Sequence, residues 1–98
     1  MIPVEYVEME EKYLFRHWIN YNVSQRNDDM FMIQDINQWC GETFGELGIK
    51  WGYYRSANNM APHGSVRRIF SSNLQIEYSW RFRDKEDAML FKLTWGGS

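Results

Sequence analysis

The sequence predicts an α+β fold, a two-layer sandwich in which an antiparallel sheet of four or five strands is covered on one face by two helices. The first observation is strict alternation over Leu74–Phe82, where even-numbered residues are apolar and odd-numbered residues from 75 on are polar, as in a half-buried strand. The second is a continuous apolar face on a helix over residues 29–44. The third is a helix start at Asp84, directly after the strand, with carboxylates in the first turn.

Two strands of the sheet are expected within residues 3–23, where apolar stretches flank a charged turn at residues 10–12. Helix is the competing interpretation of this segment, because glutamate and lysine are poor strand formers. A polar linker over residues 24–29 then leads into the first helix. The residues expected on the apolar face of this helix are Met32, Ile33, Ile36, Trp39, Cys40, Thr43 and Phe44. Gly45 or Gly48 is expected to end the helix in a left-handed conformation.

The second half of the chain supplies the other strands. Residues 49–55 are rich in aromatic residues and predict a third strand. Residues 56–65 show no periodicity and predict a loop that is either mobile or functional. Residues 66–70 are a further candidate strand, which turns through a polar segment into Leu74–Phe82.

The last helix, which ends near Trp95, is apolar on two sides. One side, expected to pack on the sheet, consists of Ala88, Phe91 and Trp95. The opposite side consists of Met89, Leu90 and Leu93. Such a helix needs two partners, and the second is either the rest of this fold or another chain. The candidate residues for a protein interface are Met89, Leu90, Leu93, Trp95, Met60 and His63.

Composition favours one domain over residues 1–98, because each half is too small to bury a core of its own. Of the residues, 44% are hydrophobic and 17% aromatic, and large rings bury much area in a short chain. The single cysteine, Cys40, excludes an internal disulfide, so a reducing, cytoplasmic setting is expected. The chain has neither a long apolar run nor a signal-peptide pattern, so no membrane association is expected.

The sequence contains no recognisable catalytic or metal-binding set of residues. His17 and His63 are the only histidines, and neither has a second histidine or cysteine at ligand spacing. We expect His17 at the edge of the core, His63 in solvent, and Cys40 buried and inert. The glycines fit neither a dinucleotide-binding nor a phosphate-binding motif. We therefore expect no enzymatic activity, no metal and no cofactor.

Charge is unevenly distributed along the chain. Residues 1–50 carry nine acidic and four basic residues, a net charge of −5, whereas residues 51–98 carry four acidic and seven basic residues, a net charge of +3. The arginines of the second half are expected first of all to pair with the acidic first half. If they bind nucleic acid instead, the candidate residues for phosphate contacts are Arg67, Arg68, Arg81 and Arg83. The aromatic residues of Leu74–Phe82, however, share the face opposite Arg81, which leaves the exposed face without a stacking platform. Nucleic-acid binding is therefore the alternative function.

The segment WRFRDKEDAMLFKLTWGG, residues 80–97, resembles the C-terminal end of small uncharacterised proteins encoded by tailed bacteriophages. The MIQDI and WC segments of the first helix are similar to the same group. The resemblance implies no established activity or site. Residues 82–91 are also similar to the third strand and second helix of ferredoxin-like domains such as RNA-recognition modules, whose aromatic binding motif is absent before Leu74.

Together these observations predict a small accessory protein of the phage type, located in the cytoplasm of the host cell. It is expected to act by binding another protein, either a host factor or a second copy of itself. The surplus apolar side of the last helix carries this prediction.

Overall fold

The computed structural model describes residues 1–59 and 74–97, and its main element is a four-stranded antiparallel sheet. The strands of this sheet are β2 (Glu5–Glu8), β3 (His17–Ser24), β4 (Trp51–Asn59) and β5 (Leu74–Phe82), in the spatial order β2-β3-β5-β4. Two short strands, β1 (Ile2–Pro3) and β6 (Gly96–Gly97), form a separate parallel pair. The α-helices are α1 (Met30–Phe44) and α2 (Lys85–Trp95), and a short 3₁₀ helix over Gln25–Asn27 precedes α1. The predicted α+β architecture is confirmed.

The alternation of β5 gives the sheet one buried face, which we call the inner face. The side chains that β5 contributes to it, all fully buried, are Ile76, Tyr78, Trp80 and Phe82. Both helices pack on this face, because Phe44 of α1 lies 5.2 Å from Phe82 and Phe91 of α2 lies 5.0 Å from Trp80, measured between ring centroids. Because α1 and α2 both lie on the inner face, neither covers the opposite, outer face, as expected for a two-layer sandwich.

Helix α1 begins and ends at the residues whose chemistry predicts a boundary. Asp29 precedes it, and its carboxylate accepts a 3.1 Å hydrogen bond from the backbone N–H of Met32. Gly45 follows it with a φ of 92°, a conformation that favours glycine. The buried residues of α1 are Ile33, Ile36, Cys40 and Phe44. The placement of Thr43 on this face is wrong, because Thr43 lies at the margin of the buried stripe in the last turn and is exposed.

Strand β4 corrects the predicted boundary between strand and loop. The loop was expected to begin at Ser56, but β4 continues to Asn59. Its last residues pair in register with β5, from Ser56 opposite Glu77 to Asn59 opposite Leu74. Pairing with a strong neighbouring strand overrides the low strand propensity of serine and asparagine. The rest of the predicted loop and the candidate strand over residues 66–70 lie outside the described residues.

The parallel pair of β1 and β6 was not predicted, because two-residue strands carry no periodicity. It brings the buried Ile2 beside Gly96, directly after the last turn of α2. Position 96 also has no room for a side chain, because a Cβ on Gly96 would lie 2.6 Å from the carbonyl oxygen of Lys92. The pair therefore attaches the N-terminal segment to the end of α2.

Candidate functional site

Helix α2 presents its surplus apolar side chains to solvent. Leu93 is 79% exposed and Leu90 is 43% exposed, whereas Met89 is half-buried and packs against the core. On the other side of the helix, Ala88 and Phe91 are fully buried. Leu90 and Leu93 are therefore surface residues that the described part of the fold leaves uncovered.

Two adjoining shallow depressions follow this exposed side of α2. The first, of about 470 Å³, is lined by Met1, Met89, Lys92, Leu93, Gly96 and Gly97. The second, of about 370 Å³, is lined by Lys85, Glu86, Met89, Leu90 and Leu93. Because they share Met89 and Leu93, they form one apolar surface, which we call the α2 groove. The glycines of β6 have no side chains to fill its end, and the exposed Met1 lies beside them.

Of the other residues proposed for a protein interface, Trp95 is described by the structure and does not line the α2 groove. Trp95 is on the core side of α2, with its ring edge-to-face against Trp39 of α1 at 6.2 Å between centroids. Its indole N–H is buried and has no hydrogen-bond partner among the described residues. Met60 and His63 lie outside the described residues, as do Arg67 and Arg68.

A second candidate site lies on the outer face of the sheet, around Arg81. The guanidinium carbon of Arg81 is 3.5 Å from the ring centroid of Trp18 and 4.0 Å from that of Tyr54. Its Nε donates a 3.0 Å hydrogen bond to Oγ of Ser79. We call this arrangement of Trp18, Arg81 and Tyr54 the Arg81 clamp. Both flat faces of the cation are covered by rings, so the guanidinium plane is fixed.

The register of the sheet builds the Arg81 clamp. Trp18 of β3 and Gly52 of β4 lie opposite Arg81 on its two neighbouring strands. A Cβ on Gly52 would lie 3.0 Å from the ring of Tyr54, so the glycine lets that ring lie back across the strand. The expectation that the outer face lacks stacked rings is therefore wrong. The rings come from β3 and β4, and the alternation of β5 alone contains no signal for them.

His17 lies at the edge of the core, as predicted, and is hydrogen-bonded there. Its Nδ1 is 2.8 Å from the hydroxyl oxygen of Tyr6, and that hydroxyl donates a 3.1 Å hydrogen bond to Glu8. Desolvation of the phenol, together with this contact to Glu8, raises the pKa of Tyr6. The ring of His17 also stacks on Tyr6 at 6.1 Å between centroids. The cluster ties β2 to β3.

Cys40 is fully buried in α1, as predicted. Burial raises the pKa of its thiol to about 12, so the reactive thiolate is not formed near neutral pH. Within residues 1–59 and 74–97, no group of three or more histidine, cysteine, aspartate or glutamate residues is arranged to hold a metal ion. The described helices also include none long and apolar enough to span a membrane.

Comparison of the chain with protein-family models, curated proteins and solved structures finds no match.

Proposed function

We propose that this protein is a non-catalytic protein-binding module that associates through the α2 groove with a second copy of itself. The observation that carries the proposal is the 79% exposure of Leu93 on the side of α2 opposite the buried Phe91. Removing apolar surface of this kind from water contributes about 25 cal/mol for each Å², which must exceed the loss of translational and rotational freedom on association. Half-buried Met89 adds a side chain that adapts to irregular contacts.

The charges along α2 favour a second copy as the occupant. Acidic residues concentrate at its N-terminal end, at Asp84, Glu86 and Asp87, and Lys92 lies in its last turn. Glu86 and Lys92 are each three residues from Met89. In an antiparallel pair of α2 helices centred on Met89, Glu86 of each copy is level with Lys92 of the other. A two-fold axis repeats this contact, as in isologous dimers, and opposes the two helix dipoles.

The proposal retains the expectation that the chain is a small accessory protein of the phage type, acting in the host cytoplasm. The resemblance of residues 80–97 supports the first part, and the single, buried Cys40 agrees with a reducing compartment. A host protein bound in the same groove is the competing occupant. In that case the purified chain stays monomeric.

The direct test replaces both Leu90 and Leu93 with lysine. Sedimentation velocity should show a concentration-dependent dimer for the unaltered chain and a monomer for the double variant. The circular dichroism spectrum should be unchanged, because both side chains are exposed. The matched control replaces Leu47 and Ile49 with lysine. These residues lie outside α2, are 55% and 56% exposed, and their replacement should leave the dimer intact. A chain that is monomeric at all concentrations overturns the proposal.

Charge reversal tests the antiparallel arrangement. Lys92→Glu and Glu86→Lys should each weaken the homodimer, because each replaces two attractive contacts with two repulsive ones. An equimolar mixture of the two single variants should associate again, since both contacts then join opposite charges. If the mixture associates no better than either variant alone, the antiparallel arrangement is wrong, whatever the result of the leucine test.

A further inference from the structure

Within residues 1–59 and 74–97, the terminal nitrogens of Arg81 in the clamp have no hydrogen-bond acceptor. The two rings cover the faces of the guanidinium, and its Nε is engaged by Ser79. Of the five N–H donors of an arginine, the four on the terminal nitrogens remain, all in the guanidinium plane. Among the described residues, no carboxylate lies within 4.0 Å of Arg81. In the described part of the chain, the clamp therefore fixes the guanidinium of Arg81 without pairing it with an acidic side chain.

An oxyanion fits this arrangement. A carboxylate or phosphate binds two N–H groups of a guanidinium side by side, in the plane that the rings fix here. Because Trp18 and Tyr54 already immobilise the side chain, little conformational entropy remains to be lost on binding. Arg83, two residues beyond Arg81 and exposed, supplies a second cation at the same end of β5.

The surroundings of the Arg81 clamp favour a nucleic acid over an acidic peptide. Tyr54 is 46% exposed, so its ring retains open surface on which a base can stack. The outer-face positions next to it along β3 and β4 carry short polar side chains able to hydrogen-bond base edges. They are Asn20, Asn22 and Ser56, whereas Ser79 of β5 is 2% exposed and already bonded to Arg81. An acidic peptide would use the cation, but its carboxylate side chains would not stack on the open ring surface of Tyr54.

We propose that the outer face of the sheet binds single-stranded nucleic acid, with one phosphate at Arg81, a second at Arg83 and a base stacked on Tyr54. The site lies on the face of the sheet opposite both helices, so it is independent of the α2 groove. Unpaired bases are required, because a duplex keeps its bases stacked on one another. Glu77 is also on the outer face, and its carboxylate repels phosphate. The phosphate contacts are therefore restricted to the Arg81 end of β5.

Fluorescence anisotropy with labelled oligo-dT and oligo-U, over a range of salt concentrations, tests the proposal. Two phosphate contacts predict a log–log salt slope of about −1.4 on single strands, and duplex DNA should bind more weakly. Arg81→Lys keeps the charge but loses the planar fork, and should weaken binding about tenfold. Tyr54→Ala should weaken it roughly fivefold or more, through loss of stacking. The control Arg26→Gln, at an exposed position just after β3 and at the end of the sheet away from Arg81, should bind as the unaltered chain does.

Three results would overturn the proposal. They are no binding at low salt, equal binding by Arg81→Lys and the unaltered chain, and displacement of the oligonucleotide by oligo-glutamate at equal concentration. If a variant fails to fold, the binding site can still be located by measuring the amide chemical shifts of the unaltered chain with and without oligonucleotide. Addition of oligo-dT should shift the signals of Tyr54 and Ser79, and shifts confined to α2 would contradict the assignment.

Discussion

The indole N–H of Trp80, on the central strand β5, donates a 2.7 Å hydrogen bond to Oδ1 of Asn37 on α1. Trp80 is fully buried, and Phe91 of α2 packs against its ring. The bond therefore fixes the position of α1 on the sheet at the point where both helices meet the core. A buried indole N–H without an acceptor costs free energy, so the pair matters more than an exposed hydrogen bond.

We expect Asn37→Leu to lower the free energy of unfolding by about 1–3 kcal/mol, because the indole N–H of Trp80 loses its acceptor. Urea denaturation followed by far-ultraviolet circular dichroism measures the change. The control is Gln38→Leu at the next position, where the exposed side chain donates a hydrogen bond to Glu42 and to no other described residue. Its effect should stay within about 0.5 kcal/mol. Equal losses in the two variants would show that the bond is not the cause.

Gly41→Ala should stabilise the protein. Gly41 is exposed in the interior of α1, and a Cβ there meets nothing within 4 Å. Alanine is the better helix former by about 1 kcal/mol, which thermal unfolding should report as a higher Tm. Gly45→Ala is the contrast, because Gly45 also has open space around it but a φ of 92°. A lower Tm for Gly45→Ala and a higher one for Gly41→Ala would show that backbone conformation, and not the room for a Cβ, decides the effect of alanine on stability.

The two glycines of β6 should respond differently to alanine. A Cβ on Gly96 would lie 2.9 Å from Cγ2 of Val4 as well as close to the Lys92 carbonyl, whereas the nearest atom to a Cβ on Gly97 is 3.6 Å away. Gly96→Ala should cost about 1–3 kcal/mol of unfolding free energy, as overpacking usually does, and Gly97→Ala much less. Chemical denaturation of both variants measures the difference. Equal stability would mean that the end of α2 adjusts without strain.

The stability of the fold should decrease at alkaline pH. Burial raises the pKa of Cys40 to about 12, and burial with a 2.6 Å hydrogen bond to Asp28 raises that of Tyr78 to about 12. Below the ordinary pKa of each group the protonated forms contribute their full stability. As pH rises toward 12, the unfolded chain ionises first and this contribution is lost.

Urea unfolding at several pH values above 8 measures this decrease. In Cys40→Ala the fall should begin about one pH unit later, because tyrosine titrates above cysteine. A thiol reagent such as Ellman's should react with the unaltered chain only after urea unfolds it, since Cys40 is fully buried. Rapid reaction in the folded state would contradict the burial.

Local patterns predicted the elements that carry their own periodicity. The alternation of β5 gives its buried face, and the acid at Asp29 and the glycine at Gly45 give the bounds of α1. The end of β4 could not be predicted, because the residues up to Asn59 are strand only through pairing with β5. The partners of Arg81 were missed for the same reason. Register between strands distant in sequence depends on tertiary contacts, whereas periodicity is a property of each segment alone.

The sheet order has a kinetic consequence. Its central pair joins β3 to β5, with His17 opposite Phe82, so this ladder forms only after the long intervening segment has closed into a loop. Loop closure costs entropy before the contacts compensate for it, and chains dominated by distant pairings fold in milliseconds to seconds rather than microseconds. During synthesis, β3 has no central partner until β5 has left the ribosome. Until then the apolar side chains of β3 and α1 are exposed to chaperones and to one another.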